Sequence, residues 1–295
     1  MIDFHRVDIS DAKWIKSRLS CKEKISCEYS FGNIFAYNQK MDILVADYNE
    51  CLIVKYAVGD YNVYAFPVGP GDVKSALSAI ADDTESDGKK GVISAMTGKD
   101  ADIFESVFGG KYKAVADRDA YDYVYNSEDL INLTGKKYQP KRNHISYFIR
   151  SYNWSYEKID RTNIDECIEM NRQWLDKYDP ELRQPLIEEF RMIKTVFDNY
   201  EELGFVGGLI RVDGKVVAYT MGEELDSESF CVHFEKAFAD IRGAYPMINQ
   251  QFVKNELSGY KYINREDDVG AENLRKAKLS YHPAFLLEKY TAELA

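Results

Sequence analysis

The segment 230–283 sets strand, turn, helix, strand and charged loop in one order, and no other stretch restricts the fold of this chain as strongly. Phe230-Cys231-Val232-His233-Phe234-Glu235-Lys236 is rich in β-formers and reads as a strand. It runs through Asp240-Ile241-Arg242-Gly243-Ala244-Tyr245-Pro246 into a helix over 247–257. A second strand, Tyr260 to Asn264, then leads into Arg265-Glu266-Asp267-Asp268-Val269-Gly270. Gly243 lets the backbone approach a ligand, and Pro246 suits a first helical turn. Free amides of Arg242, Gly243, Ala244, Tyr245 and Met247 would then face an anion with the helix dipole behind them.

The rest of the chain supplies two halves of one order. In the first, strands at 43–46, 51–58 and 61–66 form hairpins, and Gly69-Pro70-Gly71 precedes a helix with Val73, Leu77 and Ile80 at helical spacing. A strand at 91–96, a helix through Ile103 and Phe108, and a strand-like stretch at 112–125 follow. In the second, a hairpin about Asp213-Gly214 joins 205–212 to 215–224, ahead of the Phe230 strand, the Met247 helix, the Tyr260 strand, a helix at 271–281 and a last strand at 285–290. Between the halves lie a helical stretch at 128–152 interrupted by Pro140, and helices at 163–178 and 181–203. Thr162 with Asp165 resembles a capping box, and Ile164, Ile168, Trp174, Leu175 and Tyr178 make an apolar stripe expected in the core. Only 86–91 reads as a flexible loop. The expected architecture is two copies of one α/β unit, at 1–134 and 135–295, each a mixed, mostly antiparallel sheet flanked by helices.

Charge narrows the partners. With 38 Lys+Arg against 49 Asp+Glu, the net charge of -11 opposes binding of nucleic acid or anionic membrane over the whole surface. A polyanion needs a local patch, and Lys136, Lys137, Lys141, Arg142, His144 and Arg150 form the main basic concentration, a candidate tRNA contact for which ordinary surface charge complementing the acidic side chains is the favoured alternative. No apolar run approaches the ~20 residues that span a bilayer, and the first residues lack a secretory pattern, so the expectation is a cytoplasmic protein. The five cysteines are scattered without metal-site spacing, which predicts reduced thiols and no metal centre.

Four stretches carry a resemblance: Val232-His233-Phe234-Glu235-Lys236-Ala237; Gly243-Ala244-Tyr245-Pro246-Met247-Ile248-Asn249; Tyr262 to Gly270; and Leu274-Arg275-Lys276-Ala277-Lys278-Leu279-Ser280-Tyr281-His282-Pro283. With Tyr29-Ser30-Phe31-Gly32-Asn33-Ile34-Phe35 and Lys141 to Phe148, they resemble an uncharacterised bacterial family sharing the C-terminal domain of phosphatidylglycerol lysyltransferase. That family is similar to Fem-type aminoacyltransferases. The resemblance implies tandem GNAT (N-acetyltransferase) folds that move an acyl or aminoacyl group from acyl-coenzyme A or aminoacyl-tRNA to a small-molecule or peptide acceptor, with no tightly bound cofactor.

The expected active domain is the second, with the first as scaffold. Glu266, Asp267 and Asp268 at a strand's carboxyl end would orient an acceptor and take its proton, helped by His233 or Glu235, which share a strand face. A solvated helix-capping loop is the alternative for the acidic run. Lys278, with Arg275, falls near the place where Fem-type enzymes keep a lysine beside the reacting ester. An oxyanion donor there is worth ~3 kcal/mol, about a hundredfold in turnover. Tyr281 resembles the general-acid tyrosine of GNAT enzymes, and is otherwise a packed aromatic. The coenzyme A loop fits poorly, because Asp240 stands where Arg or Gln is wanted and Tyr245 where Gly or Ala is wanted. A silent GNAT-fold module binding a small anion or peptide therefore stays open beside the transferase, and a lipid-directed lysyltransferase fragment ranks behind both.

Overall fold

The computed structural model describes residues 2–21, 25–179 and 183–294. In chain order the elements are β1 (His5–Arg6), α1 (Ala12–Leu19), α2 (Phe31–Met41), β2 (Leu44–Tyr48), β3 (Cys51–Val58), β4 (Tyr61–Ala65), α3 (Val73–Asp87), β5 (Lys90–Met96), α4 (Gly98–Val107), β6 (Val115–Ala116) and β7 (Asp122–Asn126). There follow α5 (Ser127–Asn132), α6 (Gln139–Ser151), β8 (Trp154–Lys158), α7 (Ile164–Asp176), α8 (Arg183–Asp198), α9 (Tyr200–Leu203), β9 (Val206–Val212) and β10 (Lys215–Glu224). The chain ends with β11 (Ser229–Ala237), α10 (Ala244–Glu256), β12 (Tyr262–Asn264), α11 (Glu272–Leu279), β13 (Phe285–Leu287) and β14 (Tyr290–Leu294).

Among the described residues the strands form two seven-stranded sheets, ordered β1-β2-β3-β4-β5-β14-β6 and β13-β7-β12-β11-β10-β9-β8. β4 and β5, around α3, pair in parallel, and so do β11 and β12, around α10. The architecture is thus mixed α/β, with two mostly antiparallel sheets flanked by helices.

The closing strands do not belong where local order placed them. β14, the last of the chain, pairs with β5 in the first sheet, and β7, from the end of the first half, pairs with β12 in the second. Two compact units result: Met1–Tyr123 with Glu266–Lys276 and Leu286–Ala295, and Val124–Arg265 with Ala277–Phe285. A split at 134/135 does not follow these discontinuous units, because pairing of a distant strand leaves no local periodicity.

Several local expectations shift. Pro140 opens α6 at its first turn, where its missing N–H costs nothing, instead of interrupting a helix. The 112–125 stretch holds only β6 and the start of β7, separated by a 3-10 turn at Arg118–Ala120. Ahead of α7, Asp160 accepts from the Thr162 amide at 2.8 Å and Asn163 accepts from the Asp160 amide at 3.0 Å, which displaces the Thr162/Asp165 box. The α7 core face is Cys167, Met170, Asn171 and Trp174, while Tyr178 is exposed. The 86–91 stretch is a tight helix-to-strand turn capped by left-handed Gly88. Glu181, the expected start of the next helix, lies outside the described residues.

In the first unit, Ile53, Tyr64, Leu77, Ile80, Ile93 and Phe104 pack with no exposure above 1% between the sheet and α3 and α4. Each such side chain contributes about 1.5–3 kcal/mol of burial. That core makes the sheet a rigid wall for the polar residues described next.

Candidate active site

The first unit contains a cavity of about 370 Å³. Ile34, Met41, Ile43, Val54, Tyr56 and Ala65 form its apolar wall, and Glu28, Glu266, Asp267 and Lys289 its charged end. Helix α2 starts at Ser30, whose extended backbone and hydroxyl cap the Asn33 amide at 3.3 Å. Asn33, Tyr37 and Met41 recur at i, i+4 and i+8, so one helix face lines the cavity. On the sheet side, the Tyr29 hydroxyl donates to the Ala95 carbonyl at 3.0 Å, and Ala95 takes a φ of +58° at the irregularity where β14 joins β5.

Beneath the charged end lies a buried ion cluster. The Lys289 ammonium donates to Asp122 Oδ1 at 2.7 Å and Glu28 Oε1 at 2.6 Å, and approaches Cys27 Sγ at 3.5 Å. Cys27 donates from its amide to Asp122 Oδ2 at 3.0 Å and from its thiol to Oδ1 at 3.3 Å. The ligand-type atoms of Cys27, Glu28 and Asp122 lie within 4.8 Å of one another, and Lys289 supplies the cation among them. Burial disfavours charge on Lys289, yet the Asp122 and Glu28 carboxylates outweigh it and hold the ammonium well above its ordinary range. Burial and the neighbouring carboxylates Asp122 and Glu28 push the Cys27 thiol up, so it packs as a neutral group.

The acidic run supplies two residues to the cavity and one to its frame. Asp268 is fully buried and accepts from Arg275 at 2.7 and 2.8 Å, Tyr123 at 2.5 Å, the Gly270 amide at 3.0 Å and Arg118 at 3.4 Å. The Arg275 hydrogen bonds, joined by Tyr123 and Gly270 and opposed by burial, hold Asp268 far below the usual carboxylate range. Asp268 and Arg275 therefore anchor the loop. Glu266 and Val269 sit in left-handed backbone, at φ +56° and +44°, a cost the anchor has to overcome. Between them, Asp267 faces the cavity, and Glu266 accepts from Asn33 at 3.4 Å. Burial raises the Asp267 carboxyl to about 7; Lys289 opposes this, while Glu266, Asp122 and Glu28 add to it. Burial and then Glu266 likewise push the Tyr37 hydroxyl well up.

The other candidates stand in the second unit. The period-2 register breaks at His233, since Val232 pairs with Gly222 and Phe234 with Met221. A Cβ at Gly222 would lie 1.8 Å from the Cys231 carbonyl, so the bulge requires glycine. His233 Nε2 meets Glu223 at 3.1 Å, whereas Glu235 accepts from Arg265 at 2.9 Å and Asn249 at 3.3 Å. The two residues serve separate partners. Lys278 donates to the Arg265 carbonyl at 2.6 Å, and Tyr281 is buried with its backbone carbonyl on the Tyr138 hydroxyl at 3.1 Å.

At the start of α10, Gly243 has a φ of +92°, and a Cβ there would lie 2.6 Å from the His144 carbonyl and 3.1 Å from the Phe148 side chain. Close packing of α6 accounts for this glycine. Ala244 and Met247 are core residues, Arg242 stacks over Tyr147 at 4.4 Å, and burial raises the Tyr245 hydroxyl to about 12. Asp240 is held by Lys177 at 2.7 Å. In the basic group, Lys136, Lys137, His144 and Arg150 are exposed, Arg142 binds the carbonyls of Leu133 and Gly135, and Lys141 lies over the Tyr281 ring.

By unit, Glu266, Asp267, Asp268 and Arg275 belong to the first, and His233, Glu235, Lys278, Tyr281 and the α10 turn to the second. Sequence reasoning missed Cys27, Glu28, Tyr37, Asp122 and Lys289. A lysine placed between apolar Leu286-Leu287 and Tyr290 was the available signal for the last.

Residues 22–293 match the family described as "Phosphatidylglycerol lysyltransferase, C-terminal". A conserved protein of unknown function from Bacteroides thetaiotaomicron is similar throughout, with 35% identity, full coverage of both chains and a TM-score of 0.94. L-PGS from Bacillus licheniformis shares the fold at 15% identity and a TM-score of 0.66, covering 96% of this chain and 91% of that one. A tandem GNAT protein from the clavulanic acid biosynthesis pathway does so at 10% identity and a TM-score of 0.52, covering 100% and 99%. The uncharacterized protein MYCGA3080 of Mycoplasmoides gallisepticum is 27% identical over 181 residues, 59% of this chain and only 56% of that protein's length. The fold is a tandem GNAT fold, and the chain belongs to the phosphatidylglycerol lysyltransferase C-terminal family.

Proposed function

We propose that this protein is an aminoacyltransferase whose reacting pocket is the cavity of the first unit, with aminoacyl-tRNA as donor and an amine or hydroxyl compound as acceptor. The observation that carries the reading is Asp267, a carboxyl raised to about 7 inside a 370 Å³ cavity. A base of that strength takes a proton near neutral pH. Acidic side chains outnumber the single lysine at the charged end, so an ammonium group fits beside Glu28, Glu266 and Asp267, with its carbon chain along Ile34, Met41 and Val54. The acceptor X–H attacks the ester carbonyl, Asp267 takes the X–H proton, the C–O bond to the ribose breaks, and the proton passes to the leaving oxygen. The family match and the fold it shares with L-PGS support the reaction class.

An acyl-coenzyme A donor fits less well. Asp240 precedes the α10 turn as a carboxylate paired with Lys177, and Gly243 is packed against His144. Pyrophosphate would meet repulsion and a filled space there.

The test supplies the purified chain with labelled aminoacyl-tRNA mixtures and, separately, acetyl-coenzyme A, and follows acceptor-dependent loss of donor. Aminoacyl-tRNA consumption should rise with pH through about 7 and fall about 10²–10⁴-fold in Asp267→Asn. Thermal stabilisation by donor without turnover would instead establish a binding module.

A further inference from the structure

We propose that Arg265 and Lys141 form an oxyanion-binding site in the second unit, built for a phosphate group.

Arg265 is the last residue of its segment after β12, and its guanidinium is nearly enclosed, with 12% of the side chain exposed. Nη2 donates to Glu235, and the planar group lies 4.9 Å from the Tyr281 ring centre and 5.7 Å from that of Tyr125. Nη1 is buried and has no hydrogen-bond partner. An enclosed donor on a permanent cation is a place where an acceptor is missing.

Lys141, on α6, brings a second cation to the same ring: its ammonium stands 3.8 Å from the Tyr281 centre. Burial lowers it to about 8, and Arg265 adds to the lowering, with Glu235 opposing. Glu235 is already engaged by two donors, Arg265 Nη2 and Asn249 Nδ2. Lys278 adds further positive charge, donating to the Arg265 carbonyl. Two cations at one aromatic ring, with a single committed carboxylate, leave net positive charge in a desolvated place. An oxyanion reaching Nη1 and the Lys141 ammonium meets both needs, and a phosphate group, with several acceptor oxygens at tetrahedral angles, serves diverging donors better than a planar carboxylate.

The experiment titrates the full chain with inorganic phosphate at constant ionic strength, using calorimetry and the NMR signal of the Arg265 Nε–H, with acetate as the carboxylate arm. Phosphate should bind and move the Arg265 signal, with acetate at least tenfold weaker. Lys141→Met, on a partly exposed helix position, should weaken phosphate at least tenfold while its melting temperature confirms folding. Arg265→Lys should lose affinity although charge is kept. Failure of phosphate to bind at 10 mM (about -2.7 kcal/mol), equal binding of acetate, or unchanged affinity in folded Lys141→Met would each overturn the site and leave a structural cation pair only. None of these outcomes depends on turnover at Asp267.

Discussion

The Lys289 ammonium stands 2.7 Å from Asp122 Oδ1, with side-chain exposures of 2% and 0%, across 167 residues of sequence. Lys289 lines the first unit's cavity, and after burial, the main cause, Lys289 lowers and Asp122 raises the Asp267 carboxyl. The pair's strength comes from burial, and so does the cost of breaking it.

Replacing Lys289 by Met should leave Asp122 and Glu28 without their cation and destabilise the chain by about 3–5 kcal/mol. Adding Asp122→Asn to that variant should recover part of the loss. Urea unfolding of the two single variants and the double variant measures the coupling. Simple additivity would show that the cluster is not one unit.

Asp267 titrates near 7 in the folded chain against an ordinary 3.8. Folding thus favours its protonated form: the penalty is absent below pH 3.8, grows as pH rises, and is complete above about 7. Asp267→Asn should therefore stabilise the protein at pH 8 by about 1–2 kcal/mol, after allowance for partial exposure, and not at pH 3.5. Denaturation midpoints at the two pH values decide it.

Asp268 shows the opposite linkage. Its folded pKa is depressed from 3.8, so its stabilisation is present above that value and is lost as pH falls below it. Arg275→Met should lower stability at neutral pH, and by less at pH 2.5, where part of this linkage is already lost, read by unfolding at both. Because the anchor holds Glu266 and Val269 in left-handed backbone, amide exchange of 266–270 should accelerate in the same variant.

Gly243→Ala should lower stability by at least about 2 kcal/mol, since a Cβ meets the His144 carbonyl in a backbone conformation that suits only glycine. Thermal unfolding reports this. A fully stable variant with altered donor affinity would return the residue to a ligand-binding role.

Much of the fold was legible locally. The hairpins at 51–65 and 206–224 follow β-rich runs broken by Gly59-Asp60-type and Asp213-Gly214 turns, and helix α10 follows its glycine and proline. The importance of the acidic loop was legible too, because Glu266 to Asp268 sit at the end of a buried strand. Their division of labour was not: neighbouring Asp267 and Asp268 differ in role because one faces a cavity and the other two arginines and a tyrosine.

The amino-acid order alone determined the element types, the repeated α/β plan and the family motifs, since these rest on spacing between near neighbours. Tertiary structure decided which charges meet. It inserted β14 beside β5 and so carried Lys289 to Asp122 and Glu28, and it assigned Asp267 and the α10 turn to different units. Strand insertion and desolvation depend on residues far apart in the chain, and neither leaves a period that a local reading can detect.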